Sequence, residues 1–216
     1  MKLTVFGATG GTGSEAVGQA LDAGHEVLAV VRNPARLRIS HPNLTIMTAD
    51  VLQPAEIADA VAGRDAVISA LGHSQRPAER KAAARPTLCA DSARSVTEAM
   101  RATGSRRLVI VSASGPYTDG DGLVLRSVIK PIVGRFLRGA WTDLVAMEEV
   151  VRASGLDWTV LRPPQLTDKP VTGRYRTRLD ANARGLRVSR ADVAHLALAV
   201  AGDPDTYRTA ISLAGP

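Results

Sequence analysis

The chain has 216 residues, 45% of them apolar, which suits one α/β domain with a packed core and argues against disorder of the whole. Its net charge is +6, yet the basic residues are arginines apart from Lys2, Lys81, Lys130 and Lys169. Aromatics at 3% leave little for bases to stack on, so nucleic acid is not an expected partner. No uncharged apolar run reaches the ~18 residues of a membrane span, the N-terminus begins as a strand, and Cys89, the single cysteine, can form neither an internal disulfide nor a CxxC pair; a soluble cytoplasmic protein is expected.

Lys2–Phe6 reads as a short buried strand, followed by the glycine-rich stretch GATGGTG and a helix over Ser14–Ala23 that Gly24 closes. Further apolar runs at Glu26–Val31, Leu44–Met47 and Ala66–Ala70 are strands two to four, with a helix over Gln53–Ala62. A long helix over Leu88–Ala102 ends at Gly104, and Arg107–Val111 is strand five. Thr142 can N-cap a helix over Asp143–Ala153, and Trp158–Leu161 is strand six. Beyond it, Gly173–Leu179 and Leu186–Ser189 read as extended segments that could pair as a hairpin, before a helix over Ala191–Ala201 and a strand near Thr209–Leu213. Buried strands alternating with helices imply a doubly wound, mostly parallel Rossmann-like sheet with helices on both faces and a small C-terminal extension. One domain over 1–216 is expected, with about 1–112 serving a cofactor and about 113–216 the substrate side. The segments His73–Ala84 and Gly115–Leu123 read as loops at strand ends, where ligands sit in such sheets.

Gly7, Gly10 and Gly13 stand between a strand and a helix, the setting in which a bare backbone admits a dinucleotide pyrophosphate to the helix N-terminus. The cradle comprises Gly7, Thr9, Gly10, Gly11, Thr12 and Gly13, and the turn has no lysine of the Walker type. At the tip of strand two the chain offers Arg32 where an acid would select NAD(H), with Arg36 and Arg38 following, so NADP(H) is the expected cofactor. At least one of Arg36 and Arg38 reads equally as a solvated loop charge.

GATGGTG, VVRN at Val30–Asn33, ADV at Ala49–Val51, ISALG at Ile68–Gly72, VSASG at Val111–Gly115, SGLDWTVLRPPQLTD at Ser154–Asp168 and SRADVA at Ser189–Ala194 come in the order found in atypical short-chain dehydrogenase/reductases. Over nearly its whole length the chain resembles the branch with flavin reductase/biliverdin-IXβ reductase, with NmrA-like proteins close by. The resemblance implies that Asp50 and Val51 flank the adenine, that Leu71 and Gly72 pass the ribose and pyrophosphate, and that Ser112, Pro163 and Pro164 border the nicotinamide. From the residues alone, Asp50 is equally a cap or turn residue.

Tyr117, Tyr175 and Tyr207 are the tyrosines, and none has lysine four positions on, so the Tyr-x-x-x-Lys proton donor of the wider superfamily is missing. Where several relatives carry a lysine four residues before the glutamate aligned with Glu148, this chain has Leu144. Hydride transfer to a planar conjugated acceptor, a flavin as substrate, a quinone or a linear tetrapyrrole, is the activity that the resemblance and this absence together imply; a non-catalytic NADP-binding sensor of the NmrA-like type is the alternative. Ser112 and Tyr117 are the catalytic candidates, Ser112 reading equally as a strand-end serine that satisfies backbone groups. His73 reads as a solvated loop histidine or a site residue, and His25, His41 and His195 lack ligand spacing, so no metal is expected. The basic, apolar stretch Leu123–Trp141, interrupted by Pro131 and Gly134, reads as a helix that packs on the sheet or lids the site, or as a surface for a membrane or phosphate-bearing ligand. A monomer or homodimer is expected.

Overall fold

The computed structural model describes residues 1–72 and 86–216; the expected loop His73–Ala84, with His73, lies outside the described residues. Ten strands are described: β1 Lys2–Phe6, β2 Glu26–Val31, β3 Leu44–Thr48, β4 Ala66–Ser69, β5 Arg107–Val111, β6 Asp157–Arg162, β7 Gln165–Thr167, β8 Arg176–Leu179, β9 Arg187–Ser189 and β10 Thr209–Ala214. Five helices accompany them: α1 Gly11–Asp22, α2 Pro54–Val61, α3 Leu88–Thr103, α4 Lys130–Ala153 and α5 Arg190–Ala201.

Eight strands form one sheet in the order β3-β2-β1-β4-β5-β6-β10-β8, parallel except for β8. Strand side chains alternate between faces. Leu3 and Val5 of β1, with Val27 and Ala29 of β2, meet Val17 and Leu21 of α1 and Val193 and Leu196 of α5. Phe6 and Leu28 turn the other way, onto a core with Ile57 of α2, Cys89 and Met100 of α3 and Met147 of α4. Both faces of the central strands are therefore dry, as the Rossmann-like reading requires, while β3 and β8 at the margins are exposed or half-buried. The chain reverses its direction of travel between β1 and β4, which leaves a crevice at the carboxyl ends of the parallel strands.

The structure departs from the expected elements at three places. Helix α1 starts at Gly11, so the glycine turn supplies the first helical turn despite its poor propensity. Residues 143–153 are only the last part of α4, which begins at Lys130 after a π-helical turn, Leu125–Ile129. The backbone is helical on both sides of this junction, and Pro131, which has no N–H to donate, falls where the hydrogen-bond pattern changes from π to α. The expected hairpin is replaced by two other pairings: β8 runs antiparallel on β10, and β9 runs parallel to β7. After β8 the chain takes a left-handed turn at Asp180 (φ 51°), whose N–H donates to the Ala210 carbonyl, and Asn182 is carried to the Asp119 carbonyl instead of back along β8.

Asp143 shows how a long-range bond displaced a local reading. Its carboxylate, buried within α4, accepts from the N–H groups of Cys89 (2.8 Å) and Ala90 (2.9 Å) in the first turn of α3. Thr87 makes no side-chain cap there, so α3 is capped from another helix. Asp143→Ala is expected to cost about 2–4 kcal/mol in urea unfolding, because two buried donors lose a charged acceptor at once, with Asp143→Asn retaining part of the loss.

Candidate functional site

Among the described residues, the parallel strands place the expected cofactor and catalytic residues at one edge of the sheet, because each follows a strand's carboxyl end. At the β1–α1 turn, Gly7 has φ +78°, and a Cβ built there would come within 2.7 Å of the Ala70 carbonyl oxygen at the end of β4. A Cβ at Gly13 would overlap the Gly7 carbonyl oxygen. These two glycines thus fold the turn against itself and its neighbour. Gly10 and Gly11 are exposed, Gly10 caps α1 without a side-chain bond, and the first turn of α1 carries no acid. Thr9 is half-buried and Thr12 buried beside them. Helix-start N–H groups lacking intrahelical acceptors, on a surface without Cβ atoms or acids, are a donor set that fits a diphosphate.

Arg32 lies exposed just past β2, and Arg36 is exposed in a single 3-10 turn, Pro34–Arg36, capped by the Asn33 side chain. Asp50 is exposed after β3. Its carboxylate accepts from the Leu52 N–H and its own N–H donates to Glu56, a turn role that leaves the acid at the crevice rim. Val51 is buried, Leu71 half-buried and Gly72 exposed, with none of the described residues within 4 Å of a Cβ built there.

On the other side of the crevice the side chains form a connected polar cluster. The Ser112 hydroxyl, buried past β5, donates to Glu148 Oε1 (2.8 Å). Glu148, 2% exposed in α4, also accepts from Arg162 Nε (3.0 Å) and Nη2 (2.5 Å), a two-pronged pair at the end of β6. The Arg162 guanidinium carbon lies 3.4 Å from the centre of the Tyr117 ring. Burial alone would lower the Arg162 pKa, but the hydrogen bonds and charge of Glu148 outweigh it and raise it. Burial first, then the Glu148 carboxylate, pushes the Tyr117 phenol well above its ordinary range, with Arg162 only partly opposing.

Lys130 reaches the same loop, yet its ammonium donates to the backbone carbonyls of Ser114 and Tyr117 and pairs with Asp121 (2.6 Å). Asn182 also donates to the Tyr117 carbonyl (2.7 Å). Pro163, buried after β6, accepts the Ser114 N–H (2.9 Å), and Pro164 follows it half-buried. Sequence reasoning named Ser112 and Tyr117 but missed Arg162 and Lys130 and knew Glu148 only by alignment. The available signal was a lone arginine closing the buried run Trp158–Leu161.

A cleft of ≈ 460 Å³ lies between α4 and the loop after β5, lined by Pro116, Gly134, Arg138, Trp141, Val145 and Glu149 among others. The Trp141 ring sits so close to Gly115 and Gly134 that a Cβ at either would come within 2.8 Å of it. Along the same helix Ile132, Val133 and Phe136 are exposed, as are Arg135 and Arg138. Among the described residues no helix is long and apolar enough to cross a membrane.

The profile of a family described as NAD(P)H-binding matches residues 7–204, from the first glycine of the turn onward. A UPF0659 protein of Schizosaccharomyces pombe is 28% identical in an alignment covering 98% of this chain and 90% of that protein. Among solved structures, ChuY, an anaerobillin reductase from Escherichia coli O157:H7, superposes with a TM-score of 0.79 at 24% identity, covering 100% of this chain and 98% of that one. A short-chain dehydrogenase/reductase from Veillonella parvula in complex with NADP gives 0.80 at 18% identity, covering 100% and 94%. Both share the fold described above.

Proposed function

The chain belongs to the NAD(P)H-binding family, and from that premise we propose that it is an NADPH-dependent reductase of planar conjugated acceptors such as flavins, quinones or linear tetrapyrroles. The cradle Gly7–Gly13 would hold the diphosphate, Arg32 and Arg36 the 2′-phosphate, Asp50 and Val51 the adenine side, Leu71 and Gly72 the adjoining ribose, and Ser112, Pro163 and Pro164 the nicotinamide side. When bound, the reduced nicotinamide supplies a hydride. The chain's own part is to orient the acceptor and to exclude water from the cluster around Glu148.

One observation carries the choice of acceptor: Lys130 is spent on backbone carbonyls and Asp121, and the Tyr117 phenol is held protonated under Arg162 beside Glu148. An alkoxide forming on a simple ketone would need an acid tuned near neutrality. A conjugated acceptor spreads its charge and takes its proton from solvent, so orientation suffices. The anaerobillin reductase among the structural neighbours is consistent with such an acceptor. Trp141 and Arg138 line the cleft together with Glu149, which puts an indole and a cation beside a planar molecule bound there. NADPH consumption with flavins, quinones and linear tetrapyrroles, against simple ketones and aldehydes, tests the reading. Turnover of ketones alone overturns it, and NADPH binding without any turnover favours a sensor.

Two further outcomes are expected. Arg32→Asp weakens NADPH binding by about 1–3 kcal/mol through a lost charge-assisted contact and new repulsion, with less effect on NADH; equal native affinity for both nucleotides would remove the basis for NADP choice. Tyr117→Phe and Ser112→Ala each lose less than about a hundredfold in flavin turnover. Because the phenol stays protonated, turnover between about pH 6 and 8 is nearly flat apart from titration of the acceptor. A ten-thousandfold loss in folded, NADPH-binding Tyr117→Phe would return the enzyme to conventional carbonyl reduction.

A further inference from the structure

Arg190 opens α5, and its side chain lies along Gly11, the first residue of α1. A Cβ built at Gly11 would overlap the Arg190 Cδ and come within 2.8 Å of its Nε. The glycine therefore does more than bare the backbone, since it admits an arginine stem from the C-terminal third of the chain. The guanidinium pairs with Asp168, which follows β7. The two partners differ sharply in setting: the Arg190 side chain is 17% exposed, whereas that of Asp168 is 89% exposed. A largely covered cation thus stands at the start of the helix whose first turn has no acid, and the carboxylate of its Asp168 pair remains in water.

We propose that Arg190 is a ligand for the cofactor diphosphate, and that Asp168 occupies the guanidinium until the diphosphate takes its place. The proposal rests on the dinucleotide reading of the glycine turn. An exposed carboxylate holds its partner weakly, because water and salt compete for it. A diphosphate offers two negative groups to the guanidinium fork and is attracted by the helix-start N–H groups beside it, so it is the stronger ligand. Asp168 then lowers dinucleotide affinity by competition, and a Cβ at Gly11 moves the arginine stem out of this position.

Calorimetric titration with NADP⁺ and, as a probe lacking the diphosphate, 2′-AMP separates the contributions. Arg190→Ala is expected to weaken NADP⁺ about tenfold to a hundredfold and leave 2′-AMP unchanged. Arg190→Lys should recover part of the loss, and Gly11→Ala should reproduce it. Asp168→Asn should tighten NADP⁺ up to about fivefold. Melting temperatures accompany each titration, and Arg190→Lys keeps the test open if Arg190→Ala does not fold. Unchanged NADP⁺ affinity in the folded Arg190 variants, or an equal loss for 2′-AMP, overturns the proposal and leaves the dinucleotide reading standing. Failure of the native protein to bind NADP⁺ overturns both.

Discussion

Glu148→Ala lowers the unfolding free energy by about 3–5 kcal/mol, and Arg162→Ala does so by a similar amount. The size follows from burial. Glu148 is 2% exposed and Arg162 7% exposed, so removing Glu148 leaves the Arg162 charge in a low-dielectric interior without its carboxylate, and removing Arg162 leaves Glu148 only the longer contact to the more exposed Arg152 (3.5 Å). Loss of Glu148 also strands the Ser112 hydroxyl, and loss of Arg162 uncovers the Tyr117 ring. The double variant Glu148→Leu/Arg162→Met should be less destabilised than the two losses added together, because neither charge remains to be buried alone. Urea unfolding of the four proteins checks this. Single-variant losses below about 1 kcal/mol would mean that the pair behaves as a surface salt bridge, and the cluster would cease to be a fixed wall for the site.

The second large effect separates binding from folding within one turn. Gly13→Ala drives a Cβ into the Gly7 carbonyl oxygen, and Gly7→Ala meets both a +78° φ and the Ala70 backbone, so each should cost about 3 kcal/mol or more. Gly10 differs. It has φ −85°, and its built Cβ finds only the Gly7 oxygen at 3.2 Å. Gly10→Val should therefore keep the fold, with a modest fall in melting temperature, while placing a branched side chain over the exposed start of α1 where the diphosphate would lie. A loss of NADPH affinity beyond about a hundredfold is expected in a protein that still unfolds cooperatively. An unchanged titration would make the turn purely architectural, and unfolding of the Gly10 variant as severe as that of Gly13 would erase the distinction.

The parts of the molecule legible in the sequence are those whose cause is local. Strands β1 to β6 announce themselves as apolar runs, and the spacing of Gly7, Gly10 and Gly13 marks the turn because backbone contact there excludes side chains whatever lies farther along. Elements fixed by distant partners were not legible. Thr142 and Asp143 look like a helix start, but Asp143 caps α3 across the fold. Residues 173–179 and 186–189 look like mutual partners, yet β10 offers β8 an open edge, and no local pattern encodes which strand that will be. The same limit hid the site. Glu148 and Arg162 sit on different elements, and Arg190 meets Gly11 only because α1 and α5 share one face of the sheet.

The antiparallel strand β8 has a bearing on solubility. All four of its residues are exposed, and it closes one margin of the eight-stranded sheet, where unpaired main-chain groups would otherwise recruit a strand from another molecule. Arg176 and Arg178 alternate with Thr177 along it, so a second copy laid edge to edge would bring like charges together as it sought hydrogen bonds. The four-residue length gives such a copy little ladder to gain. The late reversal of the chain thus ends the sheet with a short, cationic hem that discourages fibre-like stacking at high concentration.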